Sequence, residues 1–307
     1  MNKTIAFLFI TFSFLLLAAL AQDDLGARPM GMGGAFVGLA DDVNSIFVNP
    51  AGVASVGRES VLVSTRLMEG REYTLIGGVE QTPIGSLGLG YVGSTDPGSL
   101  PTGAGAAKTQ TLYVTLAEDL NKKMRVPDNF GDLSLGVNFK FSSRKVGTET
   151  GLSEDGGSNI DADLAAVFKP NDNLSLGLSM QNLINGQAAP LSGLNTGEVS
   201  AAGVQAGVSG KLFGNAVTWS VQNNGVGCEW QPVSGLSIRA GRDSSGNSTS
   251  GLGLNMNGFC VDYAFVNGAE PVNYWSVSIL PQESKPAAAA KDDNAPKSAS
   301  VLPDGNI

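Results

Sequence analysis

From Ser60 to Pro281 the chain alternates apolar and polar positions with a period of two. In Leu133-Ser134-Leu135-Gly136-Val137-Asn138-Phe139-Lys140-Phe141-Ser142 every odd-numbered residue is apolar and every even-numbered one is polar or glycine. Wound into a helix, this segment would scatter its apolar side chains round the whole circumference. As a strand it has one apolar face and one wet face. The same alternation runs through Leu174–Gln181, Val217–Gln222 and Phe259–Phe265. It predicts strands at 60–68, 72–80, 84–93, 108–118, 131–146, 158–169, 173–182, 198–210, 215–222, 225–232, 235–242, 248–256, 258–266 and 272–281.

Alternation suits both a soluble sandwich, whose apolar face is a core, and a membrane barrel, whose apolar face meets lipid. Two features favour an all-β fold in the form of a transmembrane antiparallel β-barrel of about fourteen strands. Small residues recur on the polar face at Gly88, Gly90, Gly136, Gly177, Gly241 and Gly253, as a crowded lumen requires. Aromatic residues near strand ends, namely Tyr91, Trp230, Tyr274 and Trp275, are placed to form interfacial girdles.

The connections offer an independent check. With the N-terminus in the periplasm, alternate connections should be short turns and the others longer outer loops. The turn set contains Pro83, Pro170-Asn171-Asp172, Phe213-Gly214, Val233-Ser234 and Asn257-Gly258, the last a strong two-residue hairpin signal. The loop set contains Ser94–Ala107, Gly147–Gly157 and Leu183–Gly197. Asp119–Phe130 is too long for a turn, and the outer connections near Gly70 and Asn224 are short, so these three break the rule.

The ends read differently from the body. Lys3, the apolar run Ile5–Leu20 and the Ala19-Leu20-Ala21 motif mark residues 1–21 as a secretory signal peptide, with an uncleaved anchor as the alternative. Residues 22–58 form an N-terminal plug segment, 59–281 the barrel and 282–307 a disordered tail rich in alanine, proline and charge. A chain stopped after Pro281 is therefore expected to assemble.

Composition narrows the function. Charged residues make up 15% of the 307-residue chain and glycines number 41, a balance that suits short strands and tight turns. There is no histidine, which removes histidine-dependent triads and the commonest zinc ligand. A formal charge of −9 gives no footprint for nucleic acid. Strand parity puts Cys228 on the lipid face and Cys260 on the lumen face, which opposes a disulfide between them. Lys140, Asp161, Asp163, Arg239 and Asp262 fall on lumen-facing positions and read as charge pairs in a wet interior, so neither an enzyme nor a cofactor or metal site is expected. A wet lumen should also accept an added charge at Asn138 better than the lipid face accepts one at Phe139.

Ahead of the first strand stands Leu25-Gly26-Ala27-Arg28-Pro29-Met30-Gly31-Met32-Gly33-Gly34-Ala35-Phe36-Val37-Gly38-Leu39-Ala40-Asp41-Asp42, followed by Asn49-Pro50-Ala51-Gly52. Asn49 is a good N-cap and Pro50 suits the first helical position, so a short helical turn is expected there. Asp41 and Asp42 read as capping or lumen-pairing carboxylates, with a cation as the alternative. The glycines let the backbone press against a surface, with the barrel interior as the candidate.

This segment resembles the N-terminal signature of the FadL-like superfamily of outer-membrane proteins, especially its PorV/PorQ-type members. The resemblance continues through Leu133–Lys140, Leu174–Leu183, Leu236–Gly241 and Val261–Phe265. It implies a fourteen-stranded barrel in the cell outer membrane with Asn49, Pro50, Ala51 and Gly52 as plug elements. It further implies passive uptake of hydrophobic small molecules. The alternatives are a PorV-type accessory barrel that grips a secreted protein and, outside the family, a soluble secreted β-protein or adhesin.

Overall fold

The computed structural model describes residues 25–57, 60–68, 71–97, 106–123, 130–147, 153–184, 203–223 and 225–279. The expected signal peptide, the tail 282–307 and most of the three long loops lie outside these residues. Fourteen strands are described: β1 Ser60–Met68, β2 Arg71–Thr82, β3 Gly85–Pro97, β4 Ala106–Asp119, β5 Asp132–Gly147, β6 Ser153–Asn171 and β7 Leu174–Gln181 in the first half. The second half has β8 Gly203–Leu212, β9 Val217–Gln222, β10 Gly225–Val233, β11 Leu236–Arg242, β12 Ser248–Met256, β13 Phe259–Asn267 and β14 Val272–Ile279. Each strand pairs antiparallel with its sequence neighbours, and β1 closes on β14 with Val61 opposite Ile279 and Leu67 opposite Asn273. No edge remains unpaired, as hydrocarbon demands of any backbone that crosses it.

The period-two pattern turns inside out relative to a soluble protein. Val63, Leu89, Leu116, Phe139, Leu252 and Val277 are exposed on the outer surface. Their strand neighbours Ser64, Gly90, Thr115, Asn138 and Ser276 are buried in the interior. An apolar outside and a polar, packed inside is the arrangement of a barrel in lipid. No described helix is long and apolar enough to cross a membrane.

Most expected strands stand within a few residues of their predicted bounds, and β1 and β12 coincide with them. The Asn257-Gly258 hairpin has φ of 53° and 89°, the paired positive values a type I′ turn needs. The segment expected to loop at Gly147–Gly157 instead extends the wall, since Ser153, Glu154 and Asp155 pair with Gly147, Val146 and Lys145. Ladder hydrogen bonds need no apolar side chain, so a polar hairpin can continue beyond the apolar band. Between β4 and β5 the chain makes a short helix, α3, at Leu120–Lys123.

Trp230 and Trp275 point outward, and Tyr91 is half-buried and accepts a hydrogen bond from Gln110. Tyr274 does not belong to a girdle. It shares the parity of Val272 and Ser276 and is buried inside the barrel, so the strand's register overrides its aromatic character. Cys228 is exposed, Cys260 half-buried, and both are free thiols.

Inside the barrel runs Leu25–Ala54, followed by the exposed Ser55 and Gly57 at its end. It contains two short helices, α1 Ala27–Gly31 and α2 Ser45–Val48, and a 3-10 turn at Pro50–Ser55. All three are too short to be stable alone, so their stability comes from the wall around them.

Candidate functional site in the barrel lumen

Residues from Leu25 to Ala54 are almost all buried, although more than half of them lie outside regular structure. Their backbone groups find partners on strands all round the wall, which is how irregular chain survives away from bulk water. The Ala27 N–H donates to Ser276 Oγ of β14 at 2.8 Å. Thr249 of β12 donates to the Gly31 carbonyl at 3.2 Å, and Gln222 Oε1 of β9 accepts from the Phe36 and Val37 N–H groups at 2.9 and 3.0 Å. Ser209 of β8 donates to the Gly38 carbonyl, and Asn138 of β5 donates to the Ile46 carbonyl at 2.7 Å.

Such close approach requires a wall without side chains at the crossing points. A Cβ at Gly177 would stand 1.9 Å from the Val37 carbonyl oxygen, and one at Gly227 2.2 Å from that of Met32. One at Gly136 would meet the Ala51 nitrogen at 2.3 Å. Gly88, Gly90, Gly136, Gly177 and Gly241 are therefore a track laid for this segment and Gly227 extends it, whereas Gly253 makes room for Arg239 and Asp262.

The Asn49–Gly52 motif folds as its chemistry dictates. Asn49 caps the 3-10 turn by accepting from the Ala51 N–H at 3.2 Å, and Pro50 occupies the first position. The Asn49 amide also donates to the Val37 carbonyl at 2.8 Å and to the Ala166 carbonyl of β6 at 3.3 Å. Gly52 lies against Ala40, where a Cβ would stand 2.2 Å from the carbonyl oxygen. The motif thus ties two stretches of the segment to each other and to the wall.

All five charged residues assigned to the lumen face are buried there. Lys140 pairs with Asp163 at 2.6 Å and donates to Asn182. Asp163 also accepts from the Asn182 backbone at 2.9 Å, while Asp161 accepts from the Ala162 and Ile184 N–H groups. Arg239 pairs with Asp262 and with Glu229, both at 2.6 Å.

Sequence reasoning left out the group that joins these pairs to the segment. Arg28 lies between Asp41 at 2.7 Å, Asp42 at 2.8 Å and Glu229 at 3.1 Å. Glu229 of β10 therefore bridges an arginine of the segment and an arginine of the wall. Burial works against the Arg28 charge, but the fields of Asp41, Glu229 and Asp42 outweigh it and hold its pKa well above the ordinary value. A period-two reading places Glu229 on the lumen face, and Arg28 stands in the N-terminal signature, so both signals were present separately.

The interior is chemically two-sided. Across β1 to β4 the wall presents Leu62, Tyr73, Leu75, Val79, Val92 and Tyr113 inward, packed with Val43, Ile46, Phe47 and Val53 of the segment. Phe47 meets Tyr113 edge-on at 5.2 Å. Across β13 and β14, Ala264, Val266, Val272 and Tyr274 pack on Met30, Met32 and Phe36. From β5 to β12 the inward side chains are largely charged, amide or hydroxyl.

No family profile and no curated sequence matches this chain. Among solved structures, it is similar to a CymD monoaromatic hydrocarbon channel, with TM-score 0.54 and 12% identity over 86% of this chain and 99% of that one. It is also similar to the toluene transporter TodX of P. putida, with TM-score 0.51 and 11% identity over 85% and 99%. A Pseudomonas aeruginosa FadL homologue aligns with TM-score 0.50 and 14% identity over the same shares. At these identities the likeness is one of fold. That fold, the closed fourteen-strand barrel of FadL-like outer-membrane channels, agrees with the apolar exterior.

Proposed function

We propose that this protein is an outer-membrane channel for passive uptake of hydrophobic small molecules, with Leu25–Val56 as its plug. The apolar inner wall across β1 to β4 carries the reading. A channel for water and ions needs a wet lumen throughout. Here Leu62, Leu75, Val92 and Tyr113 give one side of the lumen an apolar lining, covered by Val43, Ile46, Phe47 and Val53 of the segment. It is open to an apolar ligand where the segment moves aside. The fold shared with hydrocarbon channels supports the same reading. About eight strands is the widest barrel that wall side chains fill by themselves, so a fourteen-stranded one needs an occupant. The segment supplies it, held by the Arg28–Glu229 latch and by the glycine track.

The test is uptake of toluene by cells whose own hydrophobic channels are deleted. Expression of this chain should accelerate uptake, and Leu75→Asp should abolish the gain while heat-modifiable gel mobility shows an intact barrel. Expression without any gain would overturn the transport reading. It would leave the alternative implied by the PorV/PorQ resemblance, a barrel whose outer loops grip a secreted protein.

A further inference from the structure

On the outer surface, near the short-turn end, the first residues of β3 and the last of β4 flank a groove with β5 and β6. Its volume is about 410 Å³, within the range of small-molecule sites, and Ile84, Leu87, Leu116, Leu135, Val137 and Leu164 line it. Ile84, Leu87, Leu116, Leu135 and Leu164 are exposed, so the concavity opens outward, where lipid lies. Its floor is the backbone of Gly136 and Ala117, whose Cβ positions face the lumen.

One end of this apolar groove carries a charge pair. Glu118 and Ile84 both line the groove, and Lys123 Nζ stands 2.7 Å from Glu118 Oε2 and 3.0 Å from the Ile84 carbonyl oxygen. Two of the three ammonium hydrogens are committed to those bonds and the third is free for another acceptor. Both side chains keep solvent access, Lys123 at 51% and Glu118 at 26%. Lys122 pairs with Asp119 at 3.6 Å beside them and Asp132 bonds Asn121 of the same helix, so the described charges here form no cationic patch.

The geometry points to a binding site for one zwitterionic phospholipid of the periplasmic leaflet, its acyl chain in the groove, its phosphate on Lys123 and its ammonium on Glu118. The even strand count and the short turns at this end, the longer β4–β5 connection excepted, place it at the periplasmic interface, the depth at which a phospholipid headgroup sits. An anionic lipid would satisfy Lys123 but leave Glu118 facing a second negative charge. A hydrocarbon without a headgroup would leave the charge pair unused. The site rests on the membrane-spanning barrel and not on the transport reading, so uptake and lipid retention can fail independently.

Native mass spectrometry of the full chain, released from detergent micelles containing equal amounts of phosphatidylethanolamine and phosphatidylglycerol, tests this site. The expected result is one retained phosphatidylethanolamine, favoured severalfold over phosphatidylglycerol. Lys123→Glu and the groove-filling Leu116→Trp should each reduce retention severalfold, and Lys123→Gln should reduce it without adding a charge. Lys211→Glu, at an exposed lysine on β8, should leave it unchanged. Equal retention of both headgroups, or retention indifferent to Lys123 and Leu116, would overturn the site and leave only the ordinary lipid annulus.

Discussion

Arg28 and Glu229 lie 201 positions apart, yet the guanidinium of one grips both carboxylate oxygens of the other at 3.1 and 3.3 Å. The bond joins the only described segment inside the barrel to its wall. On the wall side Glu229 is held in turn by Arg239. Fork-to-fork pairing of this kind fixes orientation as well as position.

Removing Arg28 leaves Asp41, Asp42 and Glu229 without their shared cation. Breaking a buried ion pair from one side costs roughly 3–5 kcal/mol. Arg28→Ala is therefore expected to lower the thermal midpoint of the barrel and to release the segment in part. A melting curve followed by heat-modifiable mobility checks the first. An unchanged midpoint would show that the latch contributes nothing to stability.

Gly177 gives a sharper probe, since a side chain there collides with backbone and not with a flexible tip. Gly177→Val should leave an inserted barrel whose segment is displaced and open to added protease. Gly78→Ala is the comparison, because its Cβ would meet nothing nearer than the Ser60 carbonyl oxygen at 3.9 Å. Equal protease resistance in the two variants would remove the glycine track from the account.

Deleting Gly26 to Ala54 should leave a barrel that inserts and conducts ions more persistently than the parent in planar bilayers. The wall is closed by strand pairing alone, from β1 to β14, so assembly does not need the segment. A deletion variant that conducts no more than the parent would transfer closure to the outer loops.

Phe139 and Asn138 occupy opposite faces of β5 and should fail differently. Phe139→Arg puts charge in lipid at a cost of roughly 2–4 kcal/mol near the midplane, so assembled barrel should fall. The lumen was expected to accept a charge at Asn138, but the interior there is packed and not wet. Asn138 is buried and bonded to Thr115, Asp163 and the Ile46 carbonyl. Asn138→Arg should insert and then conduct, because the larger side chain pushes the segment aside. Loss of inserted protein in both variants, with no conductance from Asn138→Arg, would contradict this division.

The wall was legible in the sequence because its cause is local. Lipid on one side and a polar, crowded interior on the other impose a period of two on each strand, and turn chemistry such as Asn257-Gly258 punctuates it. Parity alone then set Lys140, Asp161, Asp163, Arg239 and Asp262 on the inner face. The Asn49–Pro50 turn was legible for the same reason, since a cap and a fixed φ act within three residues. The tertiary structure decided what faces what across the lumen. The partner of Arg28, the burial of Tyr274 and the crossing at Gly177 all depend on the path of one irregular segment past fourteen strands. That path is fixed by contacts between residues up to 249 positions apart, as between Ala27 and Ser276, and no local period encodes it.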